Sequence, residues 1–202
     1  MIRKIRKQLR KSRGFTLVEL MIVVAIVGIL AALAIYGVRK YMANAKTAEA
    51  RNSIGQMGKD AVTAYFKEGM EATVVALKGS TSVVNQLCSG ATVEAVPGKG
   101  NITQTAIPAA LQAKKYQSEP TDWKSWDCLH FSMNDPQYYV YDYVSSATLN
   151  TNGSTFTCQA AGDLDGDGVG SLFTMEGKIQ EDSSKILTAT LAPNLAELRP
   201  DE

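Results

Sequence analysis

The sequence predicts an α+β chain in which one long N-terminal α-helix packs its second half against a C-terminal antiparallel β-sheet of about four strands. Three observations predict this. An uncharged apolar run of 19 residues, Leu20 to Val38, follows a strongly basic start. Apolar residues then recur at spacings of three and four as far as Tyr65, with no proline before Pro97. From Trp126 onward the apolar period changes to two.

Residues 1–14, MIRKIRKQLRKSRG, hold seven of the 21 basic side chains and no acid, which leaves 14 bases against 20 acids in the rest. A mildly acidic body has no general electrostatic reason to bind nucleic acid. As a helix the apolar run spans roughly 28 Å, close to the hydrocarbon thickness of a bilayer. No small-residue cleavage site follows it, so it differs from a simple secretory signal. The basic flank keeps the N-terminus cytoplasmic and sends everything after Arg39 across the inner membrane. Cys88, Cys128 and Cys158 all fall in that exported part. An oxidising compartment there favours one disulfide and one leftover thiol.

Past the membrane segment, Val38, Tyr41, Ala45, Ala48, Ile54, Met57, Ala61 and Tyr65 form an apolar stripe, while Lys46, Glu49, Asn52, Lys59, Asp60 and Lys67 fill the other faces. Gly69 suits the C-cap, with Lys67 in the last turn. A helix from Phe15 to Glu68 is roughly 80 Å long, too long for one domain of this size to cover, so its first half must pack elsewhere. Residues 70–125 read as a mixed connector. In it, Met70 to Lys78 form a short helix, Val83 to Cys88 pack down, and Pro97-Gly98, Gly100, Pro108 and Pro120 punctuate loops. Strands follow over Trp126–Met133, Tyr138–Ser145, Ser154–Ala160 and Ser171–Gln180, joined as a meander whose apolar face covers the second half of the helix. The organisation is thus a leader over 1–14, a membrane helix over 15–41 and a globular part over 42–202. The globular part comprises a helix half (42–68), the connector (70–125), the sheet (126–182) and a C-terminal tail (183–202).

The segment GFTLVELMIVVAIVGILAALAI, starting at Gly14, resembles the class III signal sequence of type IV pilins, the type IVa major pilins in particular, and of their pseudopilin relatives. The resemblance is specific over roughly residues 9–37, and the order helix, connector, sheet matches the pilin fold. It implies cleavage after Gly14 and N-methylation of Phe15 by a prepilin peptidase that is also the methyltransferase. The residues agree with that implication. Gly14 offers an unobstructed backbone to a protease, and a cut before the apolar run leaves the run on the mature chain. Glu19 then sits in the first helical turn, where a carboxylate suits the positive helix end. At bilayer depth an unpaired Glu costs about 2.5–3.5 kcal/mol, so it needs a partner. The resemblance supplies one, the amino group of Phe15 in the same or a neighbouring subunit, which makes Glu19 and Phe15 the filament-assembly residues. Many members of that family carry a proline at the end of the apolar run, and here Tyr36 stands in that place. Gly28 and Gly37 remain as weak points.

The implied function is structural rather than enzymatic: a subunit held in the inner membrane, then moved by an ATP-driven platform into a helical homopolymer on the cell surface, a fimbrium used for twitching motility, adhesion or DNA uptake. A pseudopilin of a type II secretion system is the alternative. A membrane-tethered enzyme or solute-binding domain has neither a catalytic constellation nor a use for Glu19, and no cofactor is required.

Asp163-Leu-Asp165-Gly-Asp167-Gly168 has the opening of a calcium loop, and its three carboxylates can wrap a hard cation such as Ca2+. The twelfth position is Thr174 rather than Glu, and no helices flank the loop, so an acidic turn between strands is the competing reading. His130, the only histidine, reads as a packing residue on a strand. Tyr139, Tyr141 and Tyr143 alternate and share one strand face. Asn101-Ile102-Thr103 and Asn152-Gly153-Ser154 match a glycan sequon. For the disulfide, Cys128 and Cys158 fall on the first and third predicted strands, two inter-strand spacings apart, roughly 9.5 Å. A disulfide needs Cα atoms within about 7 Å. Cys88, in the connector, is freer to approach a strand, so Cys88–Cys128 is favoured. Cys128–Cys158 stays open if the strands are not in meander order.

Overall fold

The computed structural model describes residues 14–67, 69–70, 83–98, 102 and 107–200. The leader residues 1–13, most of the predicted Met70–Lys78 helix and Asn101 and Thr103 of one sequon lie outside the described residues. The described elements are α1 (Leu17–Phe66), β1 (Gly69–Met70), β2 (Val83–Val84), a 3-10 turn (Lys124–Trp126), β3 (Val140–Ser145), β4 (Thr155–Gly162), β5 (Ser171–Glu181), β6 (Leu187–Leu191) and β7 (Ala196–Leu198). The chain divides into two compact units, one ending at Tyr41 and the other running from Met42 to Glu202. This is the expected α+β arrangement.

In the first unit α1 runs without interruption through Gly28, Tyr36 and Gly37. Every described residue from Gly14 to Tyr41 is exposed. The unit is the apolar run and has no sheet of its own.

In the second unit the core forms on the stripe of α1 that carries Thr47, Ala50, Ile54, Met57, Gly58, Ala61 and Tyr65. Ile54, Met57, Ala61 and Tyr65 are the predicted residues, whereas Val38, Tyr41 and Ala45 are exposed and Ala48 is half-buried. Thr47 and Ala50 take their place, two residues further along the helix than Ala45 and Ala48. The stripe packs with Tyr139, Tyr141, Tyr143, Phe156 and Phe173 in one apolar cluster, where each large side chain contributes about 1.5–3 kcal/mol of burial. Gly177 of β5 lies under the Phe156 ring, where a Cβ would collide with it.

The sheet order is β3-β4-β5-β6, a consecutive antiparallel meander as expected, with β7 as a fifth strand on β5. One edge of β5 pairs with β4 along its length, Ser171 to Lys178. The other edge is shared, with Gly177–Glu181 pairing β6 and Leu172–Thr174 pairing β7. The residues expected to be a tail therefore supply two strands. Leu187-Thr-Ala-Thr-Leu191 alternates as a strand does, and Arg51 of α1 holds Glu197 of β7 at 2.7 Å.

Trp126–Met133 is not a strand. Trp123, Trp126 and Leu129 follow a spacing of three and all point inward, which fits the tight 3-10 turn rather than a pleat. Trp126 Nε1 donates to the Glu94 carbonyl at 2.8 Å and Trp123 Nε1 to Ser118 Oγ at 3.0 Å. His130 then takes a left-handed φ of 56° that turns the chain out of any strand. It is exposed, not a packing residue. The helix also ends earlier than expected, at Phe66, so Lys67 lies beyond the last turn and Gly69 belongs to β1 rather than to a cap.

Part of the connector lies on the sheet's second face. Ala95, Ile102, Ile107 and Leu111 pack with Val140 and Ala161, and Val96 bridges to Tyr141 at the outer edge of β3. This is why β3 is buried on both faces from Val140 to Tyr143. Asp142 is buried with them, and loss of hydration pushes its carboxyl up from the ordinary range.

Candidate functional site: the helix start and its apolar run

Helix α1 begins with a reciprocal cap. Thr16 Oγ1 accepts from the Glu19 N–H at 3.2 Å, and Glu19 Oε2 accepts from the Thr16 N–H at 2.9 Å and from the Thr16 hydroxyl at 2.8 Å. This is the Thr-x-x-Glu capping box, which satisfies helix-end donors that would otherwise be bare in an apolar setting. The pattern is visible in the sequence as Thr16-Leu-Val-Glu19. The Phe15 nitrogen is here a peptide amide, and the Glu19 carboxylate is held by Thr16. Phe15 is 84% exposed and Gly14 has nothing within 4 Å of where a Cβ would be.

The apolar run that follows has a mean hydropathy of 2.9 over its best window, and none of that window is buried by the chain itself. By length and composition it can cross a membrane.

The other predicted residues fall elsewhere in the second unit. Cys88 and Cys128 form the disulfide, with Cα atoms 5.9 Å apart, and Cys158 is free and buried. The pairing agrees with the expectation, but Cys128 sits in the turn after Trp126 and not on a strand. Cys158 lies on β4 between Tyr143 and Met175 in register. Burial pushes its thiol up, away from the reactive thiolate.

Asp163, Asp165 and Asp167 come together, each offering a carboxylate oxygen within 4.8 Å of the others. Gly166 and Gly168 make the turn with φ of 84° and 89°. Their N–H groups donate to the buried Asp163 carboxylate at 2.6 and 3.0 Å. Asp165 and Asp167 are exposed and accept from the N–H groups of Asp167 and Val169. Three hard oxygens so placed could hold a hard cation, and Asp163 also has a complete role as the anchor of the turn.

One residue escapes the sequence reading. Glu49, expected on the polar face of α1, is half-buried and accepts from the Tyr138 N–H at 2.8 Å and the Tyr141 hydroxyl at 3.2 Å, clamping the helix to β3. Burial raises its carboxyl above the ordinary range, against those two hydrogen bonds. Nothing in the order of residues marks Glu49 out from Asp60 or Lys59.

A capped helix start, an exposed apolar run long enough to cross a membrane and a sheet-bearing domain on one chain define a broad class, α+β chains with an apolar N-terminal helix. The comparisons narrow it. Residues 9–35 match the family described as the prokaryotic N-terminal methylation motif. The chain is 34% identical over 151 residues to the fimbrial protein EcpC of Eikenella corrodens, covering 70% of this chain and 95% of that one. It is 35% identical over 108 residues to the type IV major pilin protein PilE of Neisseria gonorrhoeae, 52% of this chain and 64% of that one. With the type IV major pilin protein PilA of Myxococcus xanthus it shares 57% over 44 residues, 22% of this chain and 20% of that one. No solved structure matches it. The chain belongs to the type IV pilin family.

Proposed function

We propose that this chain is a major, or at least an abundant, subunit of a type IVa pilus. It is cleaved after Gly14, methylated at Phe15, held in the inner membrane by its apolar run and then moved by an ATP-driven platform into a helical surface filament. The observation that carries this reading is the exposed run behind the Thr16–Glu19 cap, an apolar surface that the chain's own sheet leaves uncovered. In a filament the runs of neighbouring subunits cover one another, and Glu19 takes up the new ammonium of Phe15. Twitching motility, adhesion and DNA uptake are the uses that such a filament supports. A structural subunit needs no catalytic site, and the hydrogen-bonded groups described above all serve folding.

The gathering of Asp163, Asp165 and Asp167 favours a second reading, a pseudopilin that pushes folded proteins out of the periplasm. Filaments sheared from the cell surface separate the two. The pilin reading expects this chain in long external fibres, with an intact mass that starts at Phe15 and carries one methyl group. A mass that starts at Met1 or Met21, or fibres without this chain, would overturn it.

A further inference from the structure

We propose that Thr16 is a positioning residue for assembly: its hydroxyl holds the Oε2 atom of Glu19 and so presents Oε1 to the ammonium group that cleavage creates at Phe15. The inference rests on the pilin reading above and deepens it, because it concerns how Glu19 is aimed rather than whether the chain is processed.

The two carboxylate oxygens of Glu19 are not equivalent. Both Thr16 donors fall on the same atom, the N–H at 2.9 Å and the hydroxyl at 2.8 Å from Oε2. Among the described residues no donor is bonded to Oε1. The Thr16 hydroxyl also accepts from the Glu19 N–H at 3.2 Å. One hydroxyl is thus tied to both the backbone and the side chain of Glu19, which fixes the direction of a side chain that otherwise has many rotamers. Packing does not supply that restraint, because Glu19 is exposed along with every other described residue from Gly14 to Tyr41. Within the described residues, Thr16 is what aims the carboxylate.

The acceptor count fits the partner. A carboxylate has about four acceptor positions, two on each oxygen. Oε2 fills its share on Thr16, and Oε1 keeps its own. A Phe15 amine that is cationic and carries one methyl group still has a pair of N–H donors to give. In an apolar bundle of helices an ammonium and a carboxylate are each costly unless they meet. A carboxylate that is already aimed meets its partner without a further loss of side-chain freedom. The two features of Thr16 can be separated by substitution. Valine keeps the branched shape and the backbone N–H and removes the hydroxyl, whereas serine keeps the hydroxyl and removes the methyl group.

The test compares the full chain with its Thr16→Val and Thr16→Ser variants in cells that export it. The amount in fibres sheared from the surface is taken relative to the amount left in the membrane, and intact mass is read on the membrane-held chain. Thr16→Val should still begin at Phe15 and carry one methyl group, yet its share in fibres should fall about tenfold, the size expected when a hydrogen bond to a charged group is lost. Thr16→Ser should restore the fibres. A normal fibre share for Thr16→Val would overturn the proposal. So would a Thr16→Val chain that keeps its leader, which would assign Thr16 to recognition by the peptidase. Failure of serine to restore assembly would overturn it too, by assigning the role to the methyl group. An unmutated chain whose mass starts at Met1 would sink the pilin reading first, and is seen separately.

Discussion

Ile26 and Ile54 are the same side chain on the same helix, the first 52% exposed and the second fully buried. The first half of α1 has apolar residues on every side, and each of its described residues up to Tyr41 is exposed. The second half confines its apolar residues to one stripe and buries that stripe under aromatic strands. An all-round apolar helix suits lipid or a bundle of its own kind, whereas a striped one suits a sheet. The helix is therefore built for two different partners. Mutations in its two halves should fail in different ways, the first in assembly and the second in folding.

The largest expected effect tests the first half. Glu19→Val removes a charge, so insertion into the membrane should persist, yet external fibres should be lost entirely while the thermal midpoint of the detergent-solubilised chain stays the same. Normal piliation of that variant would show Glu19 to be tolerated rather than used. The second half should give the converse. Ile54→Ala removes a fully buried side chain and should lower unfolding free energy by about 2–5 kcal/mol, measured by denaturant titration, whereas Ile26→Ala should lower it hardly at all. A comparable loss from both would dissolve the distinction between the halves.

The same contrast explains what could be read in advance. The run from Leu20 to Val38 has a composition that only apolar surroundings, lipid or other helices, satisfy, so it is legible without a structure. In the second half the period places Ile54, Met57, Ala61 and Tyr65, but the stripe continues back through Ala50 and Thr47 rather than Ala48 and Ala45, a polar Thr standing where the apolar pattern would not mark it. Alternation misleads at Trp126–Met133, where a spacing of three and indole hydrogen bonds make a 3-10 turn. Leu187–Leu191 is the reverse case, an alternating segment hidden by its place near the end of the chain. The Cys88–Cys128 pairing is right while half of its argument is not. Cys128 approaches Cys88 from a turn, and what excludes Cys158 is its place inside β4, buried between Tyr143 and Met175.

Two smaller effects sharpen the second half. The Cys88–Cys128 bond closes a 40-residue separation. Cys88→Ser with Cys128→Ser should cost about 2–4 kcal/mol in unfolding free energy, with the far-ultraviolet spectrum unchanged at low temperature. No loss would mean that the covering of β3 by the connector holds without the bridge. Asp163→Ala leaves the Gly166 and Gly168 N–H groups without their acceptor and, at about 0.5–1.5 kcal/mol for each hydrogen bond lost, should cost about 1–3 kcal/mol. That loss should be the same with calcium or a chelator present if turn anchoring is the whole role. Stabilisation of the unmutated chain by calcium that Asp165→Ala abolishes would instead make the loop a cation site.

The smallest effect is a slope with pH. Burial raises the Glu49 carboxyl above its usual 4.5. The folded chain then holds that proton more tightly than the unfolded chain does. Between 4.5 and the raised value the folded state carries more proton, so this group's contribution to stability falls as pH rises through that window and is greatest on its acid side. Glu197 has the opposite sign. Hydrogen bonding to the Arg51 guanidinium lowers its carboxyl below 4.5, so its contribution is present above that value and fades as pH falls below it. Asp142, raised by burial like Glu49, adds a slope of the Glu49 sign starting from 3.8. The whole-chain profile mixes all three, and only a difference isolates Glu49. Glu49→Gln keeps a carbonyl oxygen for the Tyr138 N–H and the Tyr141 hydroxyl but cannot titrate. The gap in thermal midpoint between the unmutated chain and Glu49→Gln should therefore shift in favour of the variant as pH rises from 4.5 through the raised value. A gap that stays constant, or that moves the other way, would mean that the hydrogen bonds from Tyr138 and Tyr141 outweigh burial and that the clamp is made by a charged Glu49.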